Sequence, residues 1–150
     1  MKSNCEKNLR AAMNPRHGMS LLTLVLLTLL AVGSADSEEQ TREIKSSTPE
    51  SNVPAPQLYG EYEANEVAAD TLYKGKIVVV TGVVDDIGKD LLDDAYVVLA
   101  SGDMMFGVQC YFAKSEEHSF GNLRKGQPVS LKGRVDGKLG NVFLRDCSFQ

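Results

Sequence analysis

The chain has 150 residues and a formal net charge of −4, with 24% charged and 43% hydrophobic residues. Once the N-terminal segments are set aside, that length suits one small domain with a modest core. From Leu58 onward 10 basic residues stand against 14 acidic ones, a net −4. That balance disfavours nucleic acid as a partner, because phosphate neutralisation dominates such affinity.

Residues 1–35 open with Lys2, Lys7, Arg10 and Arg16, continue in an uncharged apolar run from Leu21 to Val32, and end in Gly33-Ser34-Ala35. A basic region, a short apolar run and a small-residue site are the succession of a secretory signal peptide, with cleavage expected after Ala35. The run is shorter than the about 20 residues that span a bilayer. Met1 and Met13 are alternative starts, and no cysteine stands directly after the run, so no lipid anchor is expected at this position. The mature chain is expected to be periplasmic or extracellular. Residues 36–57 are rich in Ser, Thr, Glu and Pro and poor in apolar side chains. Such a stretch buries too little surface to offset its ordering entropy and reads as a flexible linker.

The domain, 58–150, begins with a helix over Leu58 to Leu72, whose face of Leu58, Tyr62, Ala69 and Leu72 is interrupted by Asn65. Five strands follow: Ile77 to Val84, Tyr96 to Ala100, Phe106 to Phe112, Val129 to Val135 and Val142 to Phe149. The third puts Phe106, Val108, Cys110 and Phe112 on one face and Gln109 and Tyr111 on the other. The fourth turns Val129, Leu131, Gly133 and Val135 inward and Ser130, Lys132 and Arg134 outward. In the fifth, Val142 and Leu144 share a face with Cys147 and Phe149 only if a bulge sits near Arg145-Asp146.

The phrase Lys74-Gly75-x-x-Val78-x-Val80-x-Gly82-x-Val84-Asp85 returns as Lys125-Gly126-x-x-Val129-x-Leu131-x-Gly133-x-Val135-Asp136, at a constant offset of 51 residues. A glycine within each strand marks a sharp bend at a barrel corner. Five strands with an insertion between the third and fourth are the strand count of the OB-fold. The expected class is all-β with one N-terminal helix, a five-stranded OB-fold barrel of Greek-key topology.

Of the cysteines, Cys5 lies in the segment to be removed, leaving Cys110 and Cys147. Export and a shared inward register predict a disulfide between them. No catalytic, phosphate-loop or zinc motif is present, so no enzyme, metal or cofactor is expected. His118 stands alone in a charged loop. The acidic segment Asp85 to Asp94 does not match the spacing of a calcium loop and reads as a solvated connection.

The chain resembles the tRNA-anticodon-like OB-fold family of exported bacterial proteins. The resemblance rests on Tyr62-Glu63-Ala64-Asn65-Glu66-Val67-Ala68-Ala69-Asp70, Tyr73-Lys74-Gly75-Lys76, Val80-Thr81-Gly82-Val83-Val84, Ile87, Tyr96-Val97-x-Leu99, Val108-x-Cys110-x-Phe112, Leu123-x-x-Gly126-x-x-Val129 and Leu144-x-Asp146-Cys147. It covers Tyr59 to Gln150, consists mainly of structural positions, implies the fold, and brings no established site residues. The expectation for function is an exported, non-catalytic binding module for an envelope protein, an oligosaccharide or another envelope component. Its face would be the outward residues Gln109, Tyr111, Lys132, Arg134 and Arg145. The alternative is a single-stranded nucleic-acid binder, against which the acidic loop at the rim would repel phosphates within about 8 Å.

Overall fold

Helix α1 covers Ala35–Ser46, strand β1 Ser51–Pro54, helix α2 Ala55–Ala64 and helix α3 Glu66–Tyr73. Strands β2 (Ile77–Lys89), β3 (Ala95–Ala100) and β4 (Gly107–Phe112) follow, then a 3₁₀ segment, Lys114–Asn122, and strands β5 (Pro128–Leu139) and β6 (Asn141–Phe149). The computed structural model describes residues 35–150. The expected signal segment, apart from Ala35, lies outside the described residues.

The strands run in the order β1-β2-β3-β4-β6-β5, and β5 pairs back onto β2 to close a five-stranded barrel. Neighbours are antiparallel except β4 and β6, which run parallel. β1 is an extra strand, parallel to β2. Alternation fills the interior with Val78, Val80 and Val84, Val97 and Leu99, Val108 and Cys110, Leu131 and Val135, Val142 and Leu144. Each such aliphatic side chain, fully buried, stabilises by about 1.5–3 kcal/mol. Helix α2 touches β2, β3, β4 and β6 and plugs one end with Leu58, Tyr59 and Tyr62.

The repeated phrase has a geometric cause. β2 and β5 are antiparallel partners, and Val80 stands opposite its own repeat mate, Leu131. A local two-fold axis passes through that pair, so Val78 faces Gly133 as Gly82 faces Val129. The ends close reciprocally. Gly75 N–H donates to the Val135 carbonyl at 2.8 Å, and Gly126 N–H donates to the Val84 carbonyl at 2.7 Å. Val135 N–H returns a bond to Lys76 and Val84 N–H one to Gln127. Gly75 and Gly126 have φ of +79° and +83°, the left-handed turn that favours glycine. Gly133 lies inside a register shift of β5 against β6. Gly82 lies where β1 leaves β2, just before β3 joins it.

Four expectations are corrected. The segment 36–57, read as a flexible linker, contains α1, β1 and the start of α2. It has few apolar residues, but Ile44, Val53 and Ala55 are all buried. Two of its three prolines are start signals for α2: Pro54 is the N-cap and Pro56 lies in the first turn. The single helix over Leu58 to Leu72 is two. Asn65 is extended (φ −164°, ψ 96°), ends α2 and caps α3 by accepting from Ala68 N–H, and Leu72 is exposed. The first strand runs on to Lys89, so the acidic connection narrows to a turn in which Asp90 Oδ1 accepts from Leu92 and Asp94 N–H. Phe106, expected inside, is exposed: Asp103 Oδ1 accepts from Met105 and Phe106 N–H, holding a turn that ends before β4 begins.

Candidate functional site

Strand alternation presents Tyr96 and Val98 of β3, Gln109 and Tyr111 of β4, and Phe143 and Arg145 of β6 on the outer face of the barrel. Register aligns them: Tyr96 pairs with Tyr111, Val98 with Gln109, and Gln109 with Phe143. Three rings form a strip. Tyr96 and Tyr111 have centroids 6.0 Å apart at 62°, and Tyr111 and Phe143 are 6.0 Å apart at 39°. Room for the first ring comes from Gly88, where a Cβ would lie 2.7 Å from the Tyr96 hydroxyl oxygen.

The strip's polar edge is pre-organised. Gly107 N–H donates to Asn141 Oδ1, Asn141 Nδ2 donates to Gln109 Oε1, and Gln109 Nε2 donates to the Tyr111 hydroxyl at 2.9 Å. Because that hydroxyl accepts from Gln109, its own proton is directed to a further acceptor. Burial, then the negative field of Asp90, pushes the Tyr111 phenol above its ordinary value, so it stays protonated at neutral pH. The Arg145 guanidinium lies 5.0 Å from the Tyr111 ring centroid. Arg145 Nε donates to Asp136 Oδ2 at 2.9 Å, which raises its own pKa further. The β6 bulge aims it there, since Arg145 and Asp146 together stand against Tyr111, with Asp146 at φ +53°.

Of the five residues expected on this face, Gln109, Tyr111 and Arg145 come together. Lys132 does not join them. It is 3% exposed, and its ammonium donates to the carbonyls of Lys45 and Ser47 at the end of α1, which lies across β5 and β6. Sequence alternation had its direction right but could not show that a helix covers it. Arg134 is adjacent to Arg145 in register and donates to the Gly75 carbonyl at 3.1 Å, a structural engagement with the turn before β2. Tyr96, Phe143 and Asn141 escaped the sequence reading. The first two follow from alternation, since Val97 and Leu99, and Val142 and Leu144, point inward. Asn141 has no such signal, because its partners Gly107 and Gln109 lie on β4, 34 and 32 positions away in sequence.

Three cations bordering the strip are already paired. Arg145 is held by Asp136, Lys89 by Asp93 and Glu117 at 3.2 Å each, and Lys125 by Asp86 at 2.6 Å. The Lys125 hydrogen bond lowers the Asp86 carboxyl, and Asp86 in turn raises Lys125. Elsewhere, His118 is exposed and its Nδ1 donates to the Ser115 carbonyl at 2.7 Å. Among the described residues no three His, Cys, Asp or Glu side chains gather as a metal set, and no helix is long and apolar enough to cross a membrane. A shallow depression of about 750 Å³ beside Pro54, Gly82, Val83 and Pro128 has no ionisable side chain in its lining. Cys110 and Cys147 are both fully buried in the core, on the neighbouring strands β4 and β6.

One of the solved structures similar to this chain agrees with the architecture. A presumed nucleic acid-binding lipoprotein from Klebsiella pneumoniae superposes with a TM-score of 0.54 at 20% identity, over 65% of this chain and 90% of that one. An OBody bound to hen egg-white lysozyme gives 0.40 at 22% identity, over 52% and 84%. A chain of the yeast Stn1 and Ten1 structure gives 0.44 at 14% identity, over 73% and 69%. No curated protein matches the sequence. The sequence profile of one family, described as tRNA_anti-like, matches residues 13–148. With an OB-type barrel closed as that resemblance requires, and a match over nearly the whole chain, the protein belongs to the tRNA_anti-like family.

Proposed function

We propose that this chain is an exported, non-catalytic binding module that holds an uncharged, ring-bearing ligand, an oligosaccharide of the cell envelope, on the Tyr96–Tyr111–Phe143 strip. The observation that carries this reading is a row of three rings with a pre-aimed Tyr111 hydroxyl, beside an Arg145 already paired with Asp136. Sugar rings stack their C–H faces on aromatic rings, while the hydroxyl and the Arg145–Asp136 pair supply both donors and acceptors to their edges. OB barrels take oligosaccharides as well as oligonucleotides on this face. Export is supported by the basic, apolar and small-residue succession of residues 1–35 and by the lipoprotein nature of the Klebsiella neighbour.

Titration with β-linked amino-sugar oligosaccharides, followed by NMR shifts or tyrosine fluorescence, tests this. Saturable binding is expected, weakened roughly tenfold or more by Tyr111→Ala. Failure to saturate, or indifference to that substitution, would overturn the reading.

A second reading, single-stranded nucleic-acid binding, is favoured by the description of the Klebsiella neighbour and by the stacking use of aromatic strips in such barrels. It requires micromolar oligonucleotide affinity that falls steeply with salt. Affinity that is absent, or flat with salt, leaves the oligosaccharide reading in place.

A further inference from the structure

We infer that Cys110 and Cys147 are joined by a disulfide made as the barrel closes, which fixes the register of the ligand strip from behind. Both are fully buried, on the neighbouring strands β4 and β6, where Cys110 stands opposite Leu144 and Cys147 opposite Phe112. Without the bulge at Arg145 and Asp146, alternation from Val142 and Leu144 would turn Asp146 inward and Cys147 out. The bulge restores Cys147 to the core opposite Phe112, at the expense of a positive φ at Asp146. Gly133 supplies the room for sulfur: a Cβ there would lie 2.5 Å from Cys147 Sγ. On the opposite face of the same two strands stand Tyr111, next to Cys110, and Arg145, two residues before Cys147. A bond between the sulfurs therefore holds the Tyr111–Arg145 contact in register.

No oxidant reaches thiols with no exposed surface, so the bond forms before β6 seats. One chain thiolate attacks the disulfide of an exported thiol oxidoreductase or of glutathione disulfide. It releases one thiol and leaves a mixed disulfide. The second chain thiolate attacks the chain sulfur of that mixed disulfide and releases the other thiol. Two protons and two electrons leave the pair, and the oxidant is reduced to two thiols. The inference does not depend on which ligand the strip takes.

The test refolds the full chain from denaturant in a glutathione redox buffer, and in parallel with excess reductant. Tryptic digestion should then yield the peptide Asp90–Lys114 linked to Asp146–Gln150 in the first sample only. The linked chain should melt on the order of 10 °C higher than the reduced chain. Reduced protein folded beforehand should link about tenfold or more slowly in the same buffer. The double variant Cys110→Ala with Cys147→Ala should melt alike in both buffers. Unlinked cysteines after refolding, links to Cys5 only, or a linked chain that melts no higher than the reduced one would overturn the inference. A buffer difference that persists in the double variant would do the same.

Discussion

At the residue scale, the two glycines of the repeated phrase are not equivalent. A Cβ on Gly133 would meet Cys147 Sγ at 2.5 Å and the Arg145 carbonyl at 3.1 Å, whereas on Gly82 it would meet Ala55 Cβ at 3.1 Å and Leu99 Cβ at 3.2 Å. We expect Gly133→Ala to destabilise by about 2 kcal/mol and Gly82→Ala by about 1 kcal/mol or less. Urea unfolding of both reads this, and the reverse order would show that space beside the core is not what the glycines provide. The tyrosines at the plugged end set an alkaline limit. Burial, then hydrogen bonding to Glu61, pushes Tyr73 up to about 12 from an ordinary 10.0. Burial raises Tyr62 as well, with Asp70 Oδ1 accepting its proton at 3.1 Å. A raised phenol keeps its proton in the folded state longer than in the unfolded chain. This contribution is therefore intact below pH 10 and is lost as pH rises towards 12. Urea midpoints between about pH 9 and pH 11.5 should fall less steeply for Tyr62→Phe than for the parent. Equal slopes would remove Tyr62 from the account.

At the scale of elements, Asn65 decides that there are two helices. Its backbone N–H closes α2 on the Glu61 carbonyl, and its side chain caps α3. Asn65→Ala should cost about 1 kcal/mol, measurable as a lower thermal midpoint with an unchanged barrel signature. Helix α1 is held by Ile44, fully buried, by Lys132 on its final carbonyls and by Lys45 on Glu116 at 2.5 Å. Lys132→Ala should loosen α1, seen as faster amide exchange over residues 38–46, while leaving ligand affinity at the strip unchanged. Loss of affinity without loss of protection would return Lys132 to the binding face. The sequence marked Lys132 as outward correctly, because alternation fixes direction. What lies above an outward residue depends on a segment 87 positions away in sequence, which no local pattern encodes.

At the scale of the whole molecule, the chain stands on a closed barrel with a small core. A Cys110–Cys147 link would therefore be a large fraction of its stability, about 4 kcal/mol in the chain-entropy treatment. Comparing linked and reduced forms by urea unfolding measures it, and a difference near zero would show that native strain cancels the gain. Sequence by itself determined the number of barrel strands and their inward faces, the inward cysteines and the paired phrases, and it required a bulge near Arg145-Asp146 if Cys147 was to face inward. These follow from period-two alternation and from glycine, which act within a few residues. It also pointed to Gln109, Tyr111 and Arg145. Only the tertiary structure decided that residues 36–57 fold, because Ile44 and Val53 gain burial from surfaces distant in the chain. It likewise decided that the two phrases are exchanged partners about the Val80–Leu131 pair. And it assembled Tyr96, Tyr111 and Phe143 into one strip, since neighbours across a barrel are set by strand order, which alternation along a single strand leaves open.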